Sequence, residues 1–326
     1  MGSKFTVFSA GELENLLIQI LYSYQTRVEI TFVGGASFSS RVSNLLSNVL
    51  NNFVRSYNEE IILRSYSYST SVDSNDLKIF LSINYWLSID QIEYLERFVE
   101  NNIYYITKGS SKEVEIAFHI NQWLKDNVKY DKSKKCRTDY DAIRYGKTVC
   151  TGYSLLFNRL AKAAGLDCRV VRGNAKLFGG HAWNQIKIGG EWYFVDCTWN
   201  AEMDINKYFL ISLYDLERTH KLDSKYERPL ADVSYAAKLI ERIESFDDEN
   251  AFDELYKLYK VYYIPSIKSL NKLLELSLQR GLRKVSVVVP EDVHKYIFGD
   301  DQYDVEDNDY FVSSHKQYYV YYTMRL

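Results

Sequence analysis

The feature that most restricts the fold is a predicted β-hairpin in the middle of the chain. Two segments in which apolar and polar residues alternate, 179–188 and 191–199, are joined by Gly189-Gly190. Adjacent glycines between alternating segments are typical of a two-residue hairpin turn. With this turn, Ile188 lies opposite Glu191, and the side-chain period of two then fixes which residues share a face along both strands.

This register is expected to bring a histidine and an aspartate together. Trp183 lies opposite Asp196 and His181 opposite Thr198, all on one face. His181 and Asp196 are then diagonal neighbours, whose Cβ atoms are roughly 7 Å apart in a hairpin. A carboxylate at that distance can bind one ring nitrogen and leave the other free to accept a proton. The alternatives are a histidine at a loop end and a carboxylate that makes a turn hydrogen bond.

A cysteine is predicted at the start of the helix that precedes this hairpin. Apolar residues after Cys150 follow helical spacing, and Gly165 ends the pattern. The first turn of a helix offers unpaired N–H groups and the positive end of the dipole, which favour a thiolate. A lone cysteine is more often a small apolar core residue. With His181 and Asp196 downstream, the pattern favours a Cys-His-Asp triad.

The other three cysteines, Cys136, Cys168 and Cys197, are not expected to form a disulfide framework or a structural zinc site. The chain is long, has no Cys-x-x-Cys pair and contains five histidines. Cys197 falls on the hairpin face opposite to His181, which makes it a poor nucleophile. We therefore expect reduced thiols and no bound metal.

Composition excludes several classes of protein. The 326 residues carry a net charge of −3, without the basic surplus of nucleic-acid-binding proteins. No window reaches the roughly 18 apolar residues of a membrane-spanning helix. The N-terminus lacks the layout of a signal peptide, so the expected location is cytoplasmic by default, with a secreted or surface-exposed mature form left open. The sequence does not indicate the oligomeric state.

Two flanking regions show patterns of small α/β modules. The N-terminal region has the predicted order β-α-β-α-β-β, with its last strands at 61–68 and 77–85. The C-terminal region resembles it at an offset of 257 residues, either through duplication or because any two β-α-β units agree at apolar positions. The expected domains are 1–90, an N-terminal α/β module; 91–225, a catalytic domain; and 226–326, a C-terminal α/β module.

The stretch from Trp123 to Trp199 contains a series of short motifs in a fixed order. They are Trp123-Leu124, Asn127 to Asp131, Gly146 to Tyr153, Ala164 to Leu166, His181 to Asn184 and Trp192 to Trp199. With these motifs, the stretch resembles the transglutaminase-like domain of the papain-type cysteine fold. The resemblance covers roughly a third of the chain, and His220 with the segment 208–212 is similar to bacterial members. It implies an α+β fold in which a helix bearing the cysteine packs on an antiparallel sheet, between the two flanking modules.

The resemblance also implies an activity. Cys150 would be the nucleophile, His181 the general base and acid, and Asp196 the orienting carboxylate. The substrate would be a protein or peptide, attacked at a peptide or carboxamide carbonyl to give a thioester. The Cys150 backbone N–H would stabilise the oxyanion, with Tyr130 as one candidate for a second donor. The zinc motifs of peptide N-glycanases and the calcium loops of mammalian cross-linking enzymes are missing, so no cofactor is expected.

Two questions stay open at this point. Attack of water on the thioester gives hydrolysis, whereas attack of a lysine amine gives an isopeptide cross-link, and we expect hydrolysis. A function of a different class, a non-catalytic protein-binding scaffold, is supported by the flanks, which occupy about two thirds of the chain without a catalytic motif. The presence of Cys, His and Asp together argues against it, although fold alone never establishes activity.

Overall fold

The computed structural model describes residues 2–56, 63–176, 179–223, 226–246, 248–298, 305–314 and 317–326. The chain divides into two compact units, Met1–Phe98 and Val99–Leu326. The fold is α+β, as predicted, with three four-stranded sheets among the described residues. Within those residues, no helix combines the length and the apolar character needed to cross a membrane.

The first unit is a four-stranded sheet with two helices packed on one face. Its buried core joins alternate strand residues such as Ile30 and Ile79 to helix residues such as Leu17 and Leu46. The strand order is β1-β2-β4-β3, with β1 and β2 parallel and the other pairs antiparallel. The elements are β1 Ser3–Val7, α1 Ala10–Tyr22, β2 Arg27–Phe32, a 3-10 turn at Gly35–Phe38, α2 Ser39–Ser56, β3 Leu63–Asp73, β4 Asp76–Tyr85 and α3 Ile89–Ile106, which includes the boundary between the units.

Local signals set where these elements begin. Ser9 accepts a hydrogen bond from the backbone N–H of Glu12, whose carboxylate accepts one from the N–H of Phe8. This reciprocal cap fixes the first turn of α1. The strand predicted at 61–68 is observed from Leu63 onwards, since residues 61 and 62 lie outside the described part of the chain.

The middle of the second unit is a helix packed on an antiparallel sheet of order β10-β7-β8-β9, which is the core that the resemblance implied. Buried Leu156 and Phe157 lie on that helix, α6, and Trp183 lies on β8. The elements are α4 Glu113–Asn127, β5 Lys129–Tyr130, α5 Asp139–Tyr145, β6 Lys147–Thr148, α6 Cys150–Ala163, β7 Cys168–Ala175, β8 Gly179–Ile188, β9 Glu191–Val195, α7 Cys197–Ala201, α8 Leu213–Leu216 and β10 His220–Leu222.

The rest of the second unit consists of two helices, followed by a third sheet of order β11-β12-β14-β13 and the two helices that connect its strands. Buried Val287, Tyr322 and Leu270 belong to its core. The elements are α9 Tyr235–Phe246, α10 Glu249–Tyr259, β11 Tyr262–Tyr263, α11 Ile267–Gln279, β12 Lys284–Pro290, α12 Glu291–Phe298, β13 Val305–Ser313 and β14 Tyr318–Arg325.

The first and third sheets have the same topology. In each, the first two strands are parallel and the last two form an antiparallel hairpin placed beside the second strand. At the offset of 257, the bounds of α1 coincide with those of α11, and β2 begins where β12 does. The N-terminal and C-terminal regions are thus similar in the order of their elements as well as in their apolar positions. The domain boundaries at residues 90 and 225 stay predictions.

Candidate active site

Cys150 is the first residue of α6. The preceding residue, Val149, has extended backbone angles and makes no side-chain cap, so no side chain of the N-cap competes for the first N–H groups of the helix. The cysteine is partly buried. The positive end of the helix dipole and the free N–H groups therefore lie next to the sulfur, as the sequence predicts.

Gly152 allows this first turn to lie against the preceding loop. A Cβ atom at this position would lie 2.0 Å from Thr148 Oγ1 and 2.5 Å from the carbonyl oxygen of Thr138. These two residues are themselves joined, because the Thr148 hydroxyl donates to that carbonyl at 3.1 Å. Any larger residue would push the cysteine-bearing turn away from its support.

His181 lies on β8, with its ring between two tryptophans. The ring centroids are 5.8 Å from Trp183, in a stacked arrangement, and 5.7 Å from Trp199. Its Nε2 lies 2.7 Å from Asp196 Oδ2, so the predicted hydrogen bond between histidine and aspartate is present. The ring also hydrogen-bonds the Cys150 side chain. Since Nε2 is taken by Asp196, Nδ1 is the nitrogen available to the thiol.

Gly173, opposite His181 on β7, makes room for the neighbouring strand. It pairs with His181 on one side and with Leu222 of β10 on the other. A Cβ atom here would lie 1.9 Å from the carbonyl oxygen of Lys221 and 2.8 Å from the ring of Trp183. The close approach of β10 to β7 therefore requires glycine.

Asp196 reaches His181 by a different local structure from the one predicted. The predicted register holds from Ile188–Glu191 to Asn184–Val195. The strand then ends, and the expected pairs of Trp183 with Asp196 and His181 with Thr198 do not form. Instead Asp196 is the N-cap of α7, where its Oδ1 accepts from the N–H groups of Thr198 and Trp199 at 3.0 and 3.1 Å. Capping a helix satisfies two N–H groups that a continued strand would have to pair elsewhere.

The three side chains shift one another's pKa. Burial opposes the charged form of the thiol, but the hydrogen bond and charge of His181 outweigh it, and the pKa of Cys150 lies below its ordinary value. Burial likewise opposes the imidazolium, yet the charge of Asp196 raises the pKa of His181 to about 10. Against its burial, His181 and His220 hold the pKa of Asp196 well below its usual range. These directions favour a thiolate beside an imidazolium held by an ionised carboxylate.

The other cysteines have the opposite electrostatic character. Burial raises the pKa of Cys136, of Cys168 and of Cys197. Cys168 and Cys197 are fully enclosed, whereas Cys136 is partly exposed. Reactivity follows the thiolate fraction, so Cys150 is the cysteine suited to act as a nucleophile.

Hydrogen-bond donors lie near the Cys150 sulfur. The backbone N–H of Ala182 donates to the sulfur, and the N–H of Cys150 lies at the open end of α6. Tyr130 is close enough to feel the charge of the thiolate, since burial and then Cys150 raise the pKa of the tyrosine. A tetrahedral acyl intermediate needs donors at its oxygen, which is bonded to the carbon that the sulfur attacks and so lies within a few ångströms of these groups.

Sequence reasoning missed His220 as a site residue. Its Nε2 lies 3.1 Å from Asp196 Oδ2, the same oxygen that binds His181. One indication was present in the sequence, because His220 lies in the downstream segment that resembles bacterial members. It reaches Asp196 through the tertiary pairing of β10 with β7, which the sequence pattern does not predict.

The ligand atoms of His181, Asp196 and His220 lie within 4.8 Å of one another, which is the spacing of a small metal-binding set. Both Nε2 atoms, however, are directed at Asp196 Oδ2. Because an ionised carboxylate only accepts, each of these nitrogens carries a proton, and a protonated nitrogen cannot ligate a metal. We therefore describe the cluster as a closed hydrogen-bonded group.

Comparisons with known proteins identify the family of the segment that contains Cys150, His181 and Asp196. Residues 100–197 match the model of the transglutaminase-like superfamily. The chain is 33% identical to human kyphoscoliosis peptidase over 24% of its own length and 14% of that protein, and 28% identical to hillarin from Drosophila melanogaster over 29% and 13%. It thus spans about a seventh of the length of these relatives.

Among solved structures, one described as a TGase aligns with 81% of this chain and 67% of its own, at 11% identity and a TM-score of 0.32. The family match is confined to the segment that contains Cys150, His181 and Asp196. The chain therefore contains a domain of the transglutaminase-like superfamily.

Proposed function

We propose that this protein is a cysteine peptidase or amidase that works by acyl transfer through Cys150, His181 and Asp196. The observation that carries the proposal is the continuous hydrogen-bonded path from the Cys150 sulfur through the His181 ring to Asp196, at the start of α6. A purely structural cluster would not need a cysteine whose pKa is lowered by a histidine. One human relative is itself named a peptidase.

The first step would form a thioester. Nδ1 of His181 holds the proton of the thiol, and the Cys150 sulfur attacks the carbonyl carbon of a peptide or carboxamide. The carbonyl π electrons move to oxygen, where the Cys150 N–H would be the first donor and Tyr130 is a candidate for a second. As the intermediate collapses, the C–N bond breaks, and the His181 imidazolium gives its proton to the leaving nitrogen.

The second step would release the acyl group. Water gives a proton to His181 Nδ1 and adds to the thioester carbonyl, the C–S bond breaks, and Cys150 recovers the proton. Asp196 stays ionised throughout, because its charge stabilises the imidazolium in both steps. If a lysine amine replaces water, the same thioester gives an isopeptide bond, so cross-linking differs from hydrolysis only in the acceptor.

One experiment separates these outcomes. The full chain is incubated with casein as acyl donor and a fluorescent primary amine as acceptor, beside Cys150→Ser and the matched control Cys136→Ser. Casein fragments without bound fluorophore support hydrolysis, and fluorophore on intact casein supports cross-linking. Both products should vanish in Cys150→Ser and persist in Cys136→Ser. If neither product appears and Cys150 shows no enhanced reactivity towards iodoacetamide, the non-catalytic scaffold becomes the better assignment.

A further inference from the structure

We propose that His220 is a positioning residue for the reaction, which holds Asp196 ionised and directed at His181. The inference rests on the proposed function of Cys150, His181 and Asp196, and it adds a fourth residue to that machinery. His220 begins β10, is 1% exposed, and has both ring nitrogens engaged. Its Nε2 lies 3.1 Å from Asp196 Oδ2 and its Nδ1 lies 2.8 Å from Thr219 Oγ1.

The hydrogen bonds fix the tautomer of the His220 ring. The ionised Asp196 oxygen can only accept, so Nε2 is the protonated nitrogen of His220. In the neutral ring Nδ1 is then an acceptor, and the Thr219 hydroxyl donates to it. Thr219 also hydrogen-bonds the hydroxyl of Tyr208. A path of hydrogen bonds therefore continues from Asp196 through His220 and Thr219 to Tyr208.

Asp196 depends on this second histidine because it is almost fully enclosed, with 1% of its surface exposed. Its Oδ1 has two backbone donors from α7, and its Oδ2 has two imidazole donors. Without His220, one site on a buried, charged oxygen would face aromatic rings and not a donor. An unsatisfied buried charge either takes up a proton or rotates towards another partner, and both would weaken its hold on His181.

Three aromatic side chains pack around the His220 ring. Its centroid lies 4.5 Å from Trp199, 4.8 Å from Trp183 and 5.6 Å from Tyr208. Among the described residues, the titratable groups against the ring are Asp196, His181 and Tyr208. In the described part of the chain, the hydrogen bonds of His220 lead to the Cys150 thiol through Asp196 and His181, which makes its role one of positioning.

The test compares His220→Gln with His220→Leu. The amide of Gln can place an N–H where Nε2 lies, whereas Leu has similar bulk and no donor. Alkylation of Cys150 by iodoacetamide is followed across pH in the full chain. In His220→Leu the rate at pH 7 should fall about tenfold to hundredfold, and the apparent pKa of Cys150 should rise towards that of a free thiol. In His220→Gln most of the loss should be recovered.

A second measurement keeps this inference separate from the proposed function. In a Cys150→Ala background, the His181 ring is titrated by NMR, where no reaction is involved. Loss of the His220 donor should lower the pKa of His181, and Gln should restore it. An unchanged His181 titration in a folded His220→Leu protein would overturn the positioning role, even if Cys150 proves to be an active nucleophile. If the pKa of His181 falls in His220→Leu and returns in His220→Gln, but Cys150 of the unaltered chain is unreactive, the proposed function is overturned and the positioning role is not.

Thr219 offers a milder variant if His220→Leu fails to fold. Thr219→Val keeps the shape of the side chain and removes the hydroxyl that donates to His220 Nδ1, whereas Thr219→Ser keeps the hydroxyl. Thr219→Val should raise the apparent pKa of Cys150 in the same direction as His220→Leu, and by less. Equal alkylation profiles for Thr219→Val, Thr219→Ser and the unaltered chain would contradict the proposed path.

Discussion

The Asp196 carboxylate hydrogen-bonds His181 Nε2 through Oδ2, at 2.7 Å, and caps the N-terminus of helix α7 through Oδ1. The same side chain therefore sets the orientation of the imidazole and the direction in which the backbone leaves the sheet. A change at this position can act through charge, through helix capping, or through both. The choice of substitution decides which of the two is measured.

Replacement of Asp196 by Asn isolates the charge. Asn caps helices about as well as Asp, so α7 should remain, but a neutral amide cannot stabilise an imidazolium. We expect turnover to fall by about 10²–10⁴-fold with only a modest loss of stability. Asp196→Ala should show the same loss of turnover and a further destabilisation of about 1 kcal/mol from the missing cap. Kinetics on casein and urea unfolding would check both expectations, and full activity of Asp196→Asn would contradict the triad.

The pH profile of Cys150 should reveal its ionised state. His181 lowers the pKa of Cys150, whereas the pKa of His181 itself is raised to about 10. Alkylation by iodoacetamide should therefore begin at a pH below the free-thiol value of about 8.5. Turnover should rise with the thiolate and fall again as His181 loses its proton near pH 10, because the leaving nitrogen needs that proton. His181→Ala should move the alkylation profile to higher pH.

Mass spectrometry of the alkylated peptides would assign the label to individual cysteines. Cys136→Ser is the matched control, since it removes another partly exposed thiol without touching His181. Equal and slow labelling of all four cysteines would argue against an activated Cys150.

Acid should remove part of the stability that Asp196 provides. Its folded pKa lies below the ordinary value of 3.8, so its contribution is complete above that pH and is lost as the pH falls towards the folded value. The melting temperature of the unaltered chain should therefore fall more steeply below about pH 4 than that of Asp196→Asn. Thermal unfolding measured by circular dichroism between pH 7 and 3 would test this. Parallel curves for the two proteins would show that Asp196 has no shifted pKa.

Gly152 should be intolerant of any side chain. Gly152→Ala places a Cβ atom against Thr148 Oγ1 and the Thr138 carbonyl, and we expect a loss of about 1–3 kcal/mol in the free energy of unfolding. Gly180→Ala is the matched control, because no atom lies within 4 Å of its added Cβ. That variant should change stability by less than about 0.5 kcal/mol. Thr148→Ala combined with Gly152→Ala should recover only part of the loss, since the Thr138 carbonyl oxygen and Thr148 Cβ would still lie 2.5 and 2.8 Å from the added Cβ atom.

The sequence was sufficient for features that depend on local pattern. The turn at Gly189-Gly190 fixed the hairpin register as far as Val195, and helical spacing placed Cys150 at the start of its helix. Both follow from periodicity and from residues with special backbone preferences. The contact between His181 and Asp196 was expected for the same reason, although the strand that was to provide it ends one residue too early.

The rest depends on contacts that no local pattern records. Asp196 can continue a strand or cap a helix, and the choice is tied to the hydrogen bond from its backbone N–H to Tyr208, twelve residues downstream. His220 lies in a strand of three residues, too short to show periodicity, and reaches the site because β10 pairs with β7. In both cases the local pattern is compatible with more than one structure, and tertiary contacts decide between them.

The absence of a side chain at Gly173 has a consequence for how this domain can vary. A methyl group there would drive back Lys221, and with it the strand that delivers His220 to Asp196. Although Gly173 has no side chain, its substitution would thus change the environment of the Cys150 sulfur, through His220, Asp196 and His181. Whether position 173 accepts a side chain without loss of Cys150 reactivity therefore depends on whether β10 and His220 contribute to the reaction.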